Sequence, residues 1–261
     1  MKMRILLALS LLCPPLVAHA FDVADYQMID LSHSYGEKTL YWPTSPSAFQ
    51  KQELANGVTD EGYFYSAYAV CTPEHGGTHI DAPVHFSKGG RSTDQLVLES
   101  LMAPAVVIDV TEKAAADRNY RLSVADVEAF EKAHGAIAAG SVVLMRTNWS
   151  QRWSDALDYF GDDTAEDASN LTFPGFGADA TRLLVQERKV GMLGIDTASV
   201  DYGPSQDFIV HQIGAAEGVP NLENLTNLAE LPETGSVIVA LPMKIEGGSG
   251  GPVRVVALIP R

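Results

Sequence analysis

The sequence predicts an α/β fold, with one domain built around a mixed β-sheet. Short apolar runs typical of buried strands recur along the chain, helical stretches are interspersed with them, and no repeat or linker-like change in composition divides them. A content of 46% hydrophobic and 20% charged residues is normal for a globular protein, and 261 residues can bury a sizeable core. Because strands and helices are not segregated, separate α and β blocks are disfavoured.

Residues 1–20 have the features of a secretory signal peptide. Two basic residues precede a short apolar stretch at 5–12, and an Ala-His-Ala cleavage site ends at Ala20. The apolar stretch is too short to cross a membrane as a helix. A buried N-terminal helix is the alternative. Cleavage predicts a mature domain of residues 21–261 that is periplasmic or secreted.

Six segments are predicted to be strands and two to be helices. Apolar, β-branched or aromatic content predicts strands at 63–72, 103–110, 141–148, 190–197, 235–245 and 252–259. The helices are 123–135 and 177–189. The first has a clear start signal, because Ser123 can cap it and Asp126 follows three residues later, while Gly135 ends it.

The formal charge of the chain is −15, from 18 basic and 33 acidic residues. This balance argues against nucleic acid or anionic lipid as a partner, because a basic patch could hardly dominate such a field. Without the signal peptide, Cys71 would be the sole cysteine, which excludes an intrachain disulfide. We expect Cys71 to be a small buried residue, since it ends an apolar run. A serine hydrolase is disfavoured because no G-x-S-x-G elbow between a strand and a helix is predicted, since the GGSGG run at 247–251 lies between two predicted strands.

The segment 74–86, EHGGTHIDAPVHF, concentrates three histidines and two carboxylates. Its glycines and proline disfavour a helix, so the second half is predicted to be extended, with His79, Asp81 and His85 on one face. The two glycines after His75 would let the chain turn and bring His75 back to the same point. Such a set suits a divalent metal such as Zn²⁺ or Mn²⁺. A polar core strand whose histidines are merely hydrogen-bonded is the alternative.

One segment alone would leave a metal under-coordinated, so further ligands should come from elsewhere in the chain. His211 has a suggestive neighbourhood, because Glu217 and Glu223 follow it. The alternative for His211 is an ordinary core histidine in a helical turn.

HGGTHIDAPVHF closely resembles the H-x-G-T-H-x-D-x-P-x-H-F signature of the cyclase family, which includes bacterial kynurenine formamidases and isatin hydrolases. Residues 28–43, MIDLSHSYGEKTLYWP, are similar to the family's opening strand and aromatic-Pro segment. Residues 190–228 resemble its second signature, with a His and a Glu twelve apart, and residues 240–258 resemble its end. The resemblance covers nearly all of the predicted mature chain.

The resemblance implies a swivelling β/β/α domain that assembles as a dimer or tetramer. It also implies that one or two metal ions, Mn²⁺ or Zn²⁺, are bound, and that His85 is the catalytic histidine beside them. His211 is a candidate both for metal binding and for catalysis, as part of the pair that binds a second ion or shapes the site. The implied metal ligands are His75, His79, Asp81, His211 and Glu223.

These expectations predict a metal-dependent hydrolase that opens a C–N bond of a cyclic or aryl amide, with an isatin-like substrate favoured. A metal-activated water would attack the carbonyl, and His85 would carry its proton to the leaving nitrogen. An arylformamidase acting on N-formylkynurenine is one alternative. It is disfavoured because Tyr-Trp-Pro-Thr-Ser at 41–45 replaces the Tyr-Pro-Gly-Asp of many kynurenine formamidases, and because that step is cytosolic. A non-catalytic periplasmic metal-binding protein is the other alternative, and it would need no spare histidine.

Five aromatic residues are candidates for the substrate pocket: Trp42, Phe64, Trp149, Phe173 and Phe176. Three of them lie in the segment 148–177, which is long, polar and aromatic and is predicted to be a functional loop. The alternatives are ordinary core packing for each aromatic residue and an exposed excursion without a role for the loop.

Overall fold

The structure, a computed structural model, describes residues 22–261, so the predicted signal peptide lies outside the described residues. In the described part of the chain, no helix is long and apolar enough to cross a membrane. The strands are β1 Tyr26–Asp30, β2 Gln50–Val58, β3 Phe64–Cys71, β4 His79–Asp81, β5 Met102–Asp109, β6 Arg121–Leu122, β7 Val142–Arg146, β8 Gly175–Phe176, β9 Met192–Ile195, β10 Asn221–Glu223, β11 Ser236–Pro242 and β12 Gly250–Pro260. The helices are α1 Leu98–Leu101, α2 Thr111–Ala116, α3 Val124–His134, α4 Ala156–Phe160, α5 Ala178–Arg182 and α6 Ile209–Ala216.

Eight strands form one mixed sheet in the order β1-β12-β11-β5-β7-β9-β10-β4. Strands β5, β7, β9 and β10 are parallel neighbours, and the remaining pairings are antiparallel. Strand β4 pairs with β10 on one side and with β12 on the other, which closes the sheet into a barrel-like ring. The predicted single α/β domain with a mixed sheet is confirmed.

The apolar strands have buried side chains on both faces of this sheet. In β7, Val142 and Leu144 join the cluster inside the ring, while Val143 and Met145 join the cluster beneath the helices. A strand buried on both faces is apolar throughout, which explains why the parallel strands could be predicted as continuous apolar runs.

The predicted helices are present, with one difference in geometry. Ser123 caps α3, and Asp126 accepts the Ser123 backbone N–H in return, which completes a capping box. The predicted helix at 177–189 is α5 followed by a π-helical turn at Leu183–Glu187. Such turns insert one residue into an otherwise regular helix.

The hairpin of β2 and β3 pairs with no other strand among the described residues. Its side chains are therefore largely exposed on both faces. Cys71, the last residue of β3, is a free and exposed cysteine. Our prediction that it is buried was wrong, because an apolar run indicates a strand but does not show whether another layer covers it.

Candidate metal centre

Strand β4 and the loop before it position the first three ligands. His79 and Asp81 lie on β4, while His75 lies before a turn at Gly77, whose φ of +58° is readily adopted only by glycine. The predicted extended strand stops at Asp81, earlier than expected. Pro83 starts a 3₁₀ turn that ends at His85, because a fixed φ and a missing N–H suit the first position of a helical turn.

Two groups of ligand atoms converge, and Asp81 belongs to both. Its Oδ1 lies 2.6 Å from Nδ1 of His75 and 3.3 Å from Nε2 of His79. Its Oδ2 lies 3.0 Å from Nε2 of His211, which is 3.1 Å from Oε1 of Glu223. Glu223 stands opposite His79 in the pairing of β10 with β4, and His211 lies in the first turn of α6. The structure thus brings together all five sequence-predicted ligands.

Hydrogen bonds on the outer side of two imidazoles leave their inner nitrogens free to bind a cation. Nδ1 of His79 is 2.9 Å from the Gly77 carbonyl oxygen, which can only accept, so this nitrogen carries the proton. Nδ1 of His211 donates in the same way to the buried carboxylate of Asp201 at 2.7 Å. Once its own proton is released, each Nε2 would therefore offer a lone pair to a cation held beside the carboxylate oxygens. Protein-held histidines of this kind, together with carboxylates, fit Zn²⁺ or Mn²⁺.

The charges around the ligands shift their pKa values strongly. Burial lowers the pKa of His79, but hydrogen bonding and charge from Asp81 and the charge of Glu223 outweigh it and raise the pKa to about 9. Burial also opposes protonation of His211, yet Asp201, Asp81 and Glu223 hold its pKa well above the usual value. In the protein without metal, protons on these imidazoles therefore balance the buried carboxylates.

His85 lies beside the ligands but belongs to neither group. Its ring stacks on that of His75, with centroids 3.8 Å apart and an interplanar angle of 18°. Burial lowers the pKa of His85 to about 4. The charge of Asp81 opposes this shift, and the charges of the neighbouring histidines reinforce it. The imidazole is therefore neutral at neutral pH and can accept a proton.

A cavity of about 380 Å³ opens above the ligands and is large enough for a small aromatic molecule. Of the predicted pocket residues, only Trp42 lines it. Four aromatic residues that we did not predict also line it: Tyr41, Phe86, Phe160 and Phe208. Phe86 directly follows His85 in the first motif, a signal that could have found it.

The structure places the other four predicted pocket residues away from this cavity, which corrects our expectation. Phe64 lies on the exposed β2–β3 hairpin and is 66% exposed. Phe176 packs in the core beneath the helices. Trp149 and Phe173 are buried in a third cluster, where Phe173 meets the edge of Trp42. Sequence alone did not distinguish these core aromatics from residues of the cavity wall.

The segment 148–177 folds into a 3₁₀ turn, α4, an intervening loop and β8. Its apolar side chains support the wall of the cavity, and Phe160 alone among them reaches its surface. Glu217, which the sequence left without a role, lies at the end of α6, where Gln186 donates to it.

A model of the family described as Cyclase matches residues 29–202. The chain belongs to the cyclase family. It is 34% identical to isatin hydrolase of Roseibium aggregatum over 209 residues, which are 77% of this chain and 78% of the relative. It is 29% identical to kynurenine formamidase of Salinibacter ruber, over 88% of this chain and 96% of the relative. These matches confirm the predicted family.

A solved structure has the same fold. Isatin hydrolase A from Labrenzia aggregata, bound to benzyl benzoate, aligns with a TM-score of 0.83 at 30% sequence identity. The alignment covers 91% of this chain and 95% of that chain.

Proposed function

We propose that this cyclase-family protein is a metal-dependent hydrolase that opens a C–N bond of a cyclic aromatic amide, with isatin as the model substrate. The observation that carries the proposal is the position of the two ligand groups, joined through Asp81, beneath an aromatic cavity and beside an uncommitted histidine. Relatives named isatin hydrolase and kynurenine formamidase support the same bond type.

The chemistry divides between the bound cation and His85. A divalent cation would polarise the amide carbonyl and make a water molecule acidic enough to attack it at neutral pH. His85 takes the proton from the attacking water and returns one to the leaving nitrogen, so that the C–N bond breaks as a C–O bond forms. Within residues 22–261 the His85 ring has aromatic contacts but no hydrogen bond, which leaves both ring nitrogens available for this transfer.

The cavity wall favours a flat aromatic substrate. Trp42 and Phe86 each lie within about 6 Å of Phe208, with ring centroids 6.0 Å and 5.6 Å away. Aromatic side chains at such spacings bind planar rings through stacking and edge contacts. Opening a cyclic amide fused to a benzene ring yields a carboxylate and an arylamine, and the carboxylate would form next to the cation.

Hydrolysis of isatin and of N-formylkynurenine, assayed side by side with added Mn²⁺ or Zn²⁺, tests this proposal. We expect turnover of isatin to exceed that of N-formylkynurenine. The reverse order would make the protein an arylformamidase, the second candidate. Tight metal binding without turnover of either amide would instead indicate a non-catalytic metal-binding protein.

We propose Mn²⁺ or Zn²⁺ as the metal, bound as one or two ions, and predict that binding releases protons. The raised pKa values of His79 and His211 mean that both carry protons at pH 7 in the metal-free protein, whereas ligands must be deprotonated. Metal affinity should therefore increase as the pH rises from 7 toward 9. Calorimetric titration in two buffers with different ionisation enthalpies measures the protons released. An enthalpy independent of the buffer would contradict the prediction.

We also propose that the protein is a homo-oligomer, a dimer or tetramer, and predict that the β2–β3 hairpin holds it together. One face of the hairpin carries Val58, Phe64, Tyr68 and Val70, which are 40–72% exposed. Exposed contiguous apolar surface commonly marks an interface. Phe64→Glu should lower the mass measured by sedimentation to that of a monomer, whereas Gln52→Glu on the opposite face should not. An unchanged mass in the Phe64 variant would place the interface elsewhere.

The periplasmic or secreted location remains a proposal based on residues 1–20. Mass spectrometry of the protein from its native host would give a mature chain that begins at residue 21, and an uncleaved chain would refute the proposal.

A further inference from the structure

The second ring nitrogen of His75, the one that faces away from Asp81, contacts a hydroxyl group. The corresponding nitrogens of His79 and His211 contact a carbonyl oxygen and a carboxylate oxygen. Nε2 of His75 is 2.8 Å from the hydroxyl oxygen of Ser249, a residue 174 positions later in the chain. That hydroxyl is 2.6 Å from Oε2 of Glu74, which also accepts the Ser249 backbone N–H at 2.9 Å. Glu74 is thus the carboxylate of the first motif that takes no part in either ligand group.

The donor and the acceptor of each hydrogen bond that links Glu74, Ser249 and His75 can be assigned in turn. An ionised carboxylate only accepts, so the Ser249 hydroxyl donates to Glu74. The hydroxyl oxygen must then accept the proton of the His75 Nε2–H group. In a neutral imidazole this leaves Nδ1 without a proton, and Nδ1 faces Oδ1 of Asp81 at 2.6 Å. Two lone pairs that face each other at this distance repel, so the contact needs a proton between the two atoms or a metal ion beside them.

The local backbone is built to allow this contact. Ser249 lies in the sequence GGSGG at 247–251, and its carbonyl oxygen accepts the Ala82 N–H at the end of β4. A Cβ atom at Gly250 would lie 2.5 Å from Cε1 of His75, so a side chain there would displace the imidazole. The His75 ring therefore packs directly against the start of β12 and the end of β4.

We infer that Ser249 and Glu74 are positioning residues that fix the tautomer and orientation of His75 and so present its Nδ1 to the metal. The inference rests on the metal centre of the proposed function, but it does not depend on which amide is hydrolysed. Partners of this kind typically contribute about 10–100-fold to metal affinity.

Nuclear magnetic resonance of protein labelled with ¹⁵N-histidine tests the tautomer directly. The ring of His75 can be assigned by its absence from His75→Gln protein. We expect a proton on Nε2 in both the metal-free and the loaded protein, with zinc bound through Nδ1 in the loaded protein. An Nε2 without a proton, or zinc bound through Nε2, would overturn the inference, and the metal-free measurement holds even if the proposed function fails.

Metal titrations of variants test the consequence. Ser249→Ala and Glu74→Ala should each weaken Zn²⁺ binding by about 10–100-fold. Ser249→Thr keeps the hydroxyl and Glu74→Gln keeps an acceptor oxygen, so both should restore the affinity. Wild-type affinity in Ser249→Ala would overturn the inference, as would failure of the conservative variants to restore it.

Thr93→Val is a matched control, because it removes hydrogen bonds to the GGSGG loop without removing the Ser249 hydroxyl. The Thr93 hydroxyl donates to the carbonyl groups of Gly248 and Gly250 but does not touch His75. Thr93→Val should therefore leave the His75 tautomer and the metal affinity unchanged. If it weakens metal binding as much as Ser249→Ala, the loop as a whole, and not the Ser249–Glu74 pair, supports the site. Thermal denaturation of the metal-free variants shows whether either change unfolds the protein.

Discussion

Replacement of His85 by alanine is expected to lower kcat/KM for amide hydrolysis by about 10²–10⁴-fold, the usual contribution of a positioned acid–base group. The metal content should stay at the wild-type level, because His85 belongs to neither ligand group. Its neutral imidazole, with a pKa lowered to about 4 mainly by burial, is the base that the variant loses. Protonation at low pH removes the same base from the wild type, so the part of the acid limb that remains at saturating metal should be absent in the variant.

His134→Ala is the matched control for His85→Ala. His134 contacts Glu233 near the surface and belongs to neither ligand group, so its replacement should change neither turnover nor metal content. Parallel loss of metal and activity in His85→Ala would instead make His85 a ligand. Full activity in that variant would assign proton transfer to another group, and His211 is the candidate that the sequence offered.

The ligand set could be predicted because its information is local. His75, His79 and Asp81 lie within seven residues, and the spacing alone places His79 and Asp81 on the same side of a short strand. The neighbourhood of His211 only suggested a ligand, and the family resemblance was needed to choose His211 with Glu223, because no local pattern shows that β10 pairs with β4. The buried strands could be predicted for a similar reason, since strands covered on both faces are apolar throughout.

Features that depend on contacts between distant segments could not be predicted in this way. Trp149 and Phe173 lie in a segment with the composition of a binding loop, yet they fill a core cluster behind the cavity. Phe208 reaches the cavity from a left-handed backbone conformation, with φ of +50°, that is uncommon for a bulky residue. Ser249 reaches His75 only because the ring of strands closes between β4 and β12. The composition of a segment does not show which distant strand it will pair with.

Asp81→Asn is expected to remove metal from both ligand groups and to lower kcat/KM by at least about 10³-fold, since loss of the cation removes several kcal/mol of transition-state stabilisation. Within the described residues, Asp81 is the one residue that belongs to both ligand groups. Asparagine keeps the shape of the side chain but loses the charge that both cations would share. Elemental analysis and steady-state kinetics measure the two effects.

Glu223→Gln is the matched variant, because Glu223 belongs only to the group formed with Asp81 and His211. If two ions bind, this variant should retain the ion held by His75, His79 and Asp81, whereas Asp81→Asn should retain neither. Asp81→Asn should also destabilise the metal-free protein by about 3–5 kcal/mol, since it leaves the protonated His79 and His211 buried without their shared partner. Thermal denaturation measures this loss. Normal metal content in Asp81→Asn protein would show that the shared carboxylate is not the link between the two groups.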